Sequence, residues 1–182
     1  MPTIICISGK ARHGKDTFCD MLKDELEKCG SKVLVIRYAD LLKYLCKDYF
    51  GWDGQKDDKG RTLLQYVGTD IVRKKNPNYW VDFVISFVKL FANEWGYVLI
   101  PDTRFPNEID RWKDEGFNPI HVRVVRDGFD NGLSEEQKNH PSETALSDYS
   151  AHLLVHNNSD LNTLRDKAYT FCGILTALKS SQ

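Results

Sequence analysis

Residues 3–17, TIICISGKARHGKDT, decide the fold. The run TIICIS is short and apolar, as in a buried strand, and it leads directly into a loop that ends in Gly14 and Lys15. The loop nearly matches the phosphate-binding pattern G-x-x-x-x-G-K-[ST], in which glycines turn backbone N–H groups around an anion and a following helix adds its positive end. We therefore predict a phosphate-binding loop (P-loop) at residues 9–17, rather than a glycine turn beside a solvated lysine.

The loop departs from this pattern at one position. Asp16 stands where Ser or Thr is expected, and the hydroxyl comes one residue later, at Thr17. A carboxylate in the first turn of a helix gains ~0.3–1 kcal/mol from the helix dipole, whereas beside phosphates it is tolerated when Mg²⁺ or water lies between. Two roles stay open for Asp16, in a magnesium shell or as a helix-terminus charge. Thr17 is the hydroxyl expected to contact phosphate.

The composition is that of an ordinary globular protein. With 182 residues, 41% hydrophobic and 28% charged, the chain is expected to form one domain with a substantial core. The net charge of −1 argues against a general nucleic-acid binder, which normally presents a basic face. Five widely spaced cysteines without a C-x-x-C pair do not suggest a disulfide framework or a zinc site. Since we find neither a signal peptide nor an apolar run of transmembrane length, we expect a cytoplasmic protein.

Short apolar runs alternate with helical patterns along the chain. Runs rich in Val, Ile and Leu predict strands at residues 3–8, 32–37, 97–101, 120–125 and 152–155. Helical periodicity predicts helices at residues 15–29, 40–50, 60–75, 79–95, 107–115 and 161–178. The alternation predicts a three-layer α/β fold, a parallel five-stranded sheet flanked by helices, with ligands bound at the carboxyl ends of the strands.

Two segments interrupt the alternation. Residues 39–95 place helix upon helix between the second and third strands and are named the helical insert. Residues 127–146 form a polar excursion with Gly and Pro and are named the lid segment. The core of the single domain would then comprise residues 1–38, 96–126 and 150–182.

Charged residues follow the third and fourth strands at the expected ligand edge. Asp102 ends the third strand, Arg104 comes two residues later, and Arg126 stands just past the fourth strand. A carboxylate there can hold magnesium through water or accept a hydrogen bond from substrate, and an arginine can span phosphates. The alternatives are a turn salt bridge from Arg104 to Glu108 or Asp110, and an ordinary surface arginine at position 126.

A polar stripe runs along the predicted helix 60–75. Arg61, Gln65, Thr69 and Arg73 recur at steps of four and would form one slowly drifting face. Twelve residues of straight helix separate the two arginines by roughly 18 Å, so we expect one to bind a substrate phosphate and the other a base or sugar. A solvated face is the alternative.

Three further groups of residues have both a structural and a functional interpretation. Apolar residues at helical spacing predict a core helix; they are Trp80, Phe83, Val84, Phe87, Val88 and Phe91. For Trp80, packing in the core is favoured over stacking on a nucleotide base. In the lid segment, His140 and Glu143 are polar candidates, although Pro141 could simply start a helix there. His13, in the P-loop, is expected to act through its backbone rather than its ring.

Together these residues resemble the deoxynucleoside monophosphate kinases encoded by tailed bacteriophages, within the adenylate-kinase-like P-loop kinases. The resemblance runs almost from end to end, through SGKARHGKDT, YADLLKYL, LLQYVGTDIVR, IPDTRFPNEID, VVRDG, HPSETAL and HNNSDLNTL. The GKDT ending, LQ-x-x-GTD and PDTR are together far more specific than a P-loop alone. Nucleoside monophosphate kinases often carry GK-x-T, so the late hydroxyl at Thr17 is a trait of the family.

The resemblance implies Mg²⁺-dependent phosphoryl transfer from ATP to a deoxynucleoside 5′-monophosphate (dNMP). We also expect a monomer or homodimer in the cytoplasm, that of the host if the chain is phage-encoded, with no nucleic-acid polymer or membrane as partner. A kinase of another small metabolite, such as dephospho-coenzyme A, and a nucleotide-binding regulatory protein without transfer activity are the alternatives. The accepted bases are not implied.

Site residues are carried over onto the matching motifs. The implied catalytic residues are Lys15, Asp102, Arg104 and Arg126. The implied ATP-binding residues are Gly9, Ala11, Arg12, His13, Gly14, Lys15, Asp16, Thr17 and Arg126. The implied substrate-binding residues are Asp40, Lys43, Arg61, Gln65, Arg73, Trp80, Asp102, Arg104, His140 and Glu143. Asp16 and Asp102 would hold the metal, through water.

Overall fold

Short runs of apolar residues place five strands in one parallel sheet. The computed structural model describes residues 1–55 and 57–180. The strands are β1 Thr3–Ser8, β2 Val33–Val35, β3 Tyr97–Ile100, β4 Ile120–Val125 and β5 Leu153–His156. They are ordered β2-β3-β1-β4-β5, and every neighbouring pair is parallel. The predicted α/β fold and its five strands are confirmed.

Helices cover both faces of this sheet. They are α1 Lys15–Lys28, α2 Ala39–Tyr49, α3 Asp58–Gln65, a π-helix Tyr66–Arg73, α4 Tyr79–Leu90, α5 Asn107–Asp114, α6 Glu135–Asn139, α7 Pro141–Thr144 and α8 Leu161–Ser180. The two short helices α6 and α7 lie in the lid segment, which was predicted as a polar excursion with a helix start at Pro141 as an alternative. Ser134 begins α6 with a capping box, in which its hydroxyl accepts the Gln137 N–H and the Gln137 side chain accepts the Ser134 N–H.

The strands are apolar on both faces because each face packs against helices. Ile4 and Cys6 of β1 belong to a core beneath α2, α4 and α5. Ile5 and Ile7, which point to the opposite face, belong to a core beneath α1 and α8. The sheet is thus a buried middle layer, and its carboxyl edge carries the P-loop and the loop after β3.

The predicted single helix 60–75 is wrong at residues 66–73, which form a π-helix. Two contacts of Gly68 accompany this change. Its carbonyl accepts a hydrogen bond from Trp80 Nε1 at 3.0 Å, and a Cβ atom added to it would lie 2.6 Å from Leu42 Cδ2. The π-helix and α2 therefore lie so close at this point that a larger residue would displace the Leu42 side chain.

The prediction for α4 is partly wrong. Trp80, Val84 and Val88 are buried, which confirms that Trp80 packs in the core. Phe83 and Phe87 are exposed on the opposite face of the helix, and α4 ends at Leu90 rather than at residue 95. Both faces of α4 carry apolar residues at helical spacing, so the spacing alone does not show which face is buried.

Within residues 1–55 and 57–180, none of the helices combines the length and apolar character needed to cross a bilayer.

The contact at Gly68 predicts a stability effect. Gly68→Ala should lower the free energy of unfolding by ~1–2 kcal/mol, because the added methyl group overpacks against Leu42. Gly173→Ala, in α8, meets nothing within 4 Å and is the matched control, which should gain ~0.5–1 kcal/mol from helix propensity. Urea unfolding of both variants measures the difference. A Gly68→Ala variant as stable as Gly173→Ala would contradict the packing.

Candidate active site

The P-loop joins the end of β1 to the start of α1. Gly9 and Gly14 have positive φ angles of 145° and 92°, and Arg12 is a non-glycine residue with φ of 62°. Left-handed residues at these positions turn successive N–H groups toward one side and create a concave anion site. A Cβ atom on Gly9 would lie 2.3 Å from the Val124 carbonyl oxygen, so the loop passes directly over β4.

Lys15 lies inside this loop rather than in solvent. Its side chain donates to the Lys10 carbonyl at 2.8 Å, and the residue is only 7% exposed. Burial, and then the positive charge of Arg104, lower the pKa of Lys15 to about 8. The ammonium group remains charged at neutral pH but is poorly solvated. An anion bound beside it is therefore strongly stabilised by its charge.

Two side chains tie the P-loop to β4 and β5. Asn157, just after β5, donates to the His13 carbonyl at 3.0 Å. The His13 ring accepts the Arg126 N–H at 3.0 Å through Nδ1, and burial, then Lys15, lower the pKa of His13, which favours the neutral ring that accepts. The expectation that His13 acts through its backbone is therefore incomplete. Sequence reasoning missed Asn157, whose signal was its place just past a strand.

Asp102 connects the end of β3 to the helical insert. Its two carboxylate oxygens accept the N–H groups of Tyr38 at 3.1 Å and Ala39 at 3.0 Å, at the start of α2. Burial raises the pKa of Asp102, and the two N–H donors oppose this shift. Each oxygen has accepted one hydrogen bond and keeps capacity for another.

Glu108 is a buried carboxylate that organises the loop after β3. It is 1% exposed, forms an ion pair with Arg73, and accepts the N–H groups of Arg104 at 2.6 Å and Phe105 at 3.0 Å. Burial raises the pKa of Glu108, and the charge of Arg73 opposes that shift. The Arg73 guanidinium also lies 4.0 Å above the Phe105 ring. The lower end of the polar stripe is thus bound to the loop that carries Arg104.

The Arg104 side chain pairs with Glu143 of α7. Arg104 Nη1 contacts Glu143 Oε1 and donates to the Ser142 carbonyl at 3.0 Å. Glu143, whose side chain is 8% exposed, accepts the Ala11 N–H of the P-loop at 3.0 Å through Oε2. Of the alternatives for Arg104, Glu108 takes only its backbone N–H. The guanidinium group of Arg104 instead forms its ion pair with Glu143 of the lid segment.

A cavity of about 470 Å³ lies between the helical insert and the P-loop. It brings together most of the residues predicted to bind substrate, which are Lys43, Arg61, Gln65, Arg73, Trp80, Asp102, Arg104 and Glu143. Four P-loop residues, Ala11, Arg12, Lys15 and Asp16, line the same cavity. We name it the insert cavity.

The π-helix explains why the polar stripe stays on this cavity. In an α-helix of 3.6 residues per turn, residues four apart overshoot one turn, so the stripe drifts. A π-helix turns less per residue, because its hydrogen bonds span five residues, and the drift reverses. Arg61, Gln65, Thr69 and Arg73 consequently all line the insert cavity.

A second cavity of about 740 Å³ lies between the first half of the P-loop, the end of β4 and the lid segment. Gly9, His13 and Arg126 line it, and the Arg126 guanidinium lies 4.1 Å above the Phe129 ring. We name it the lid cavity. Arg104, Ser142 and Glu143 line both cavities and so form the wall between them. A third hollow of about 610 Å³ adjoins Arg126 and the segment after β5.

Four predicted site residues lie outside these cavities. Gly14 caps α1, and Thr17 is exposed in the first turn of that helix. Asp40 accepts the Arg37 N–H at 3.2 Å and the Lys43 ammonium at 3.0 Å. His140 accepts the Ser142 N–H at 3.2 Å and caps α7, which Pro141 begins, so the alternative that Pro141 starts a helix is confirmed.

Asp16 forms an ion pair with Arg37 at 2.8 Å. Sequence reasoning missed Arg37, although it stands just past β2 at the carboxyl edge, the signal that identified Arg104 and Arg126. Asp16 and Asp102 line the insert cavity with Lys15, and the charges of both carboxylates partly oppose the lowering of the pKa of that lysine by burial. Across residues 1–55 and 57–180, no three His, Cys, Asp or Glu side chains cluster as a metal site.

Curated proteins resemble this chain in sequence. Deoxynucleotide monophosphate kinase of Enterobacteria phage T4 is 32% identical over 109 residues, which are 59% of this chain and 42% of that enzyme. An uncharacterized protein, ORF77 of Ictalurid herpesvirus 1, is 29% identical over 172 residues, 93% of this chain and 70% of the viral protein. The chain thus spans less than half of the phage enzyme.

The same architecture occurs in solved kinase structures. The Mycobacterium tuberculosis APS kinase CysC, in complex with AMPPNP and APS, superposes with a TM-score of 0.53 at 12% identity, covering 96% of this chain and 98% of that one. This likeness shows the P-loop kinase fold.

The family comparison covers more than half of the chain. The sequence profile of deoxynucleotide monophosphate kinases matches residues 53–168, which include the π-helix, the loop after β3, the lid segment and β5. The resemblance inferred from the motifs is confirmed, and the chain belongs to the deoxynucleotide monophosphate kinase family.

Proposed function

We propose that the protein transfers the γ-phosphoryl group of ATP to a dNMP, giving a deoxynucleoside diphosphate and ADP. The observation that carries this proposal is the shared wall between two cavities, where Arg104 and Glu143 meet the P-loop. Transfer between two nucleotides requires two binding sites whose phosphate ends face each other. The wall carries the cationic side chain of Arg104 beside Lys15, and this is where we expect the phosphate ends of the two nucleotides to meet.

The donor nucleotide is assigned to the P-loop. Its inward N–H groups and Lys15 suit the β- and γ-phosphates. Arg126, at the mouth of the lid cavity, is the second cation on this side. The hollow between Arg126 and residues 157–162 then offers space for the rest of the donor.

The acceptor is assigned to the insert cavity. Arg61, Gln65 and Thr69 present charge and hydrogen-bonding groups along one wall, and Lys43 and Arg37 approach from the side of α2. The charge of Arg73 is bound by Glu108, so its proposed role is to hold the loop of Arg104. Asp40 and His140, which lie outside the cavity, are assigned to the ends of α2 and α7.

Phosphoryl transfer depends mainly on alignment and on neutralising negative charge. Lys15 and Arg104 are the cations proposed to neutralise charge on the transferred group. Arg104 is fixed twice, through its side chain by Glu143 and through its backbone by Glu108. This double restraint orders the arginine before substrate arrives, which lowers the entropy cost of alignment.

The residues fit a magnesium ion held largely by water. Mg²⁺ prefers oxygen ligands, keeps several waters, and is usually bound through one or two carboxylates and the substrate phosphates. Asp16 and Asp102 lie beside Lys15 in the insert cavity, and we assign the ion to them through water. When bound, the ion neutralises charge between the β- and γ-phosphates.

The assignment predicts turnover of at least one dNMP. Wild-type protein with ATP, Mg²⁺ and a panel of dNMPs should release ADP, and Lys15→Ala should lower kcat/KM by at least about 100-fold, because it removes the phosphate cation. Lys23→Ala, a half-buried lysine on α1 that lines none of the cavities described, is the control and should retain activity. Turnover of another phosphate acceptor with none of the dNMPs would refute the acceptor. ATP binding without any transfer would support a regulatory protein instead.

Glu143 should matter through Arg104. Glu143→Gln keeps an acceptor for the Ala11 N–H but removes the charge paired with Arg104, so we expect kcat to fall about 10-fold with little change in KM. Glu135→Gln, an exposed change in the same lid segment, should leave kcat unchanged. Steady-state kinetics and melting curves separate misplacement of Arg104 from loss of fold. An unchanged kcat in Glu143→Gln would show that the wall does not set the rate.

Nucleotide affinity should depend on the charge of Lys15. Its pKa is lowered to about 8, so below pH 8 the ammonium group is charged and affinity for ATP is constant. Above that pH the free protein loses the proton that the complex retains, and affinity should fall about tenfold per pH unit. Calorimetric titration with ATP between about pH 6.5 and 9.5 measures this fall. Lys15→Arg, which stays charged, should give a flat profile, and a flat wild-type profile would contradict the assignment.

A further inference from the structure

Residues 146–150 follow α7 on the way to β5 and are named the lid return. Three carbonyl groups in this turn accept hydrogen bonds from one side chain of β4. Arg123 donates through Nη1 to the Ser147 carbonyl at 3.3 Å, and its Nη2 contacts the carbonyl oxygens of Leu146 and Tyr149. A guanidinium group presents its N–H donors in a rigid planar fork, so three acceptors bound at once have fixed positions relative to it. The lid return is thereby held against β4.

A second side chain of β4 holds the same turn. His121 lies two residues before Arg123, on the same face of the strand. Its Nδ1 lies 3.0 Å from the Ser150 carbonyl, which can only accept, so this nitrogen carries the proton. The other ring nitrogen then accepts from the hydroxyl of Ser8, the last residue of β1, at 2.7 Å. Burial lowers the pKa of His121 and so favours this neutral ring. The lid return is thus tied also to the strand that leads into the P-loop.

Backbone hydrogen bonds extend this restraint to Glu143. The Ala145 N–H donates to the Pro141 carbonyl at 2.9 Å, and the Ser147 N–H donates to the Thr144 carbonyl at 2.9 Å. These bonds join α7 to the lid return as one run of turns. Glu143, in the third position of α7, lies about one turn before the carbonyl groups that are bound by β4. A displacement of the lid return would therefore move Glu143.

Arg123 is one of three arginines that line the lid cavity, and its bonds differ from those of the other two. Arg104 pairs with Glu143, and Arg126 lies over the Phe129 ring. Arg123 instead has both of its Nη atoms bonded to backbone carbonyl groups. Its guanidinium is half-buried and holds backbone, whereas a residue that binds phosphate needs a free fork.

We propose that Arg123 is a positioning residue for phosphoryl transfer. By binding the lid return, it holds α7 where Glu143 meets both the Arg104 side chain and the Ala11 N–H. In this role Arg123 acts through Glu143 and contacts neither nucleotide. The inference rests on the proposed function, because the transfer reaction is what requires Arg104 at a fixed point.

A split between kcat and KM tests this role. Arg123→Lys keeps the charge but lacks the fork, so we expect kcat to fall about 10-fold, while KM for ATP and for the dNMP changes less than about twofold. Arg165→Lys, an exposed change on α8, is the matched control and should equal the wild type. Wild-type kcat in Arg123→Lys would overturn the proposal. A KM for ATP that rises in Arg123→Ala and is restored in Arg123→Lys would also overturn it, since that result indicates a direct contact with phosphate.

A double variant tests the path through Glu143. Both single changes misplace Arg104, so Arg123→Lys combined with Glu143→Gln should lose about the same 10-fold in kcat as either change alone. Independent roles would multiply to a loss of about 100-fold, and that result would contradict the coupling.

Amide exchange tests the position of α7 without any turnover. The Ala11 N–H donates to Glu143 Oε2 at 3.0 Å, so its exchange with solvent deuterium reports whether α7 stays in place. In the nucleotide-free protein we expect this exchange to be at least about 10-fold faster in Arg123→Lys than in the wild type. Exchange at Ile5, which is fully buried in β1, should be unchanged and shows that the variant is folded.

This measurement separates failure of the inference from failure of the proposed function. If the wild type turns over no dNMP, the proposed function fails, and exchange at Ala11 still decides whether Arg123 holds α7. Arg123→Gln is a second variant for the same measurement should Arg123→Lys not fold. Wild-type exchange at Ala11 in either folded variant would overturn the inference.

Discussion

The ion pair between Arg104 and Glu143 connects three parts of the chain that lie far apart in sequence. Arg104 follows β3, Glu143 belongs to α7 of the lid segment, and the same carboxylate accepts the Ala11 N–H of the P-loop. Glu108 adds a fourth part, because it joins the Arg104 backbone to Arg73 at the end of the π-helix. These paired carboxylates and arginines form the wall between the two cavities. The cavities are therefore separate, yet Arg104 lines both of them.

Much of the fold was predictable because its signals are local. Each strand is a short apolar run, and both faces of the sheet are covered, so apolar character alone identified all five strands. The π-helix was not predictable in this way. It coincides with a contact between Gly68 and Leu42 of another helix, and with the bond from Trp80, neither of which is visible in local periodicity. The outward face of α4 escaped prediction for a related reason, since its aromatic residues continue the period of the buried ones.

The candidate site was predictable to the extent that topology fixes it. In a parallel sheet the residues after each strand meet at one edge, and this rule identified Asp102, Arg104 and Arg126. The rule does not predict which side chains these residues pair with. Arg104 has carboxylates nearby in sequence, at Glu108 and Asp110, but its charge is taken by Glu143, 39 residues away. His140 was carried over by motif, and its hydrogen bond to the Ser142 N–H identifies it as a helix cap.

The residues of the wall lie within the part of the chain that the family profile matches. That match begins at residue 53, beyond the P-loop, and contains Arg73, Arg104, Glu108 and Glu143. Buried carboxylates are costly unless each is paired, and these two are paired with arginines and backbone N–H groups. In the proposed function, these pairs would hold Arg104 at a fixed point between the phosphates of the two nucleotides.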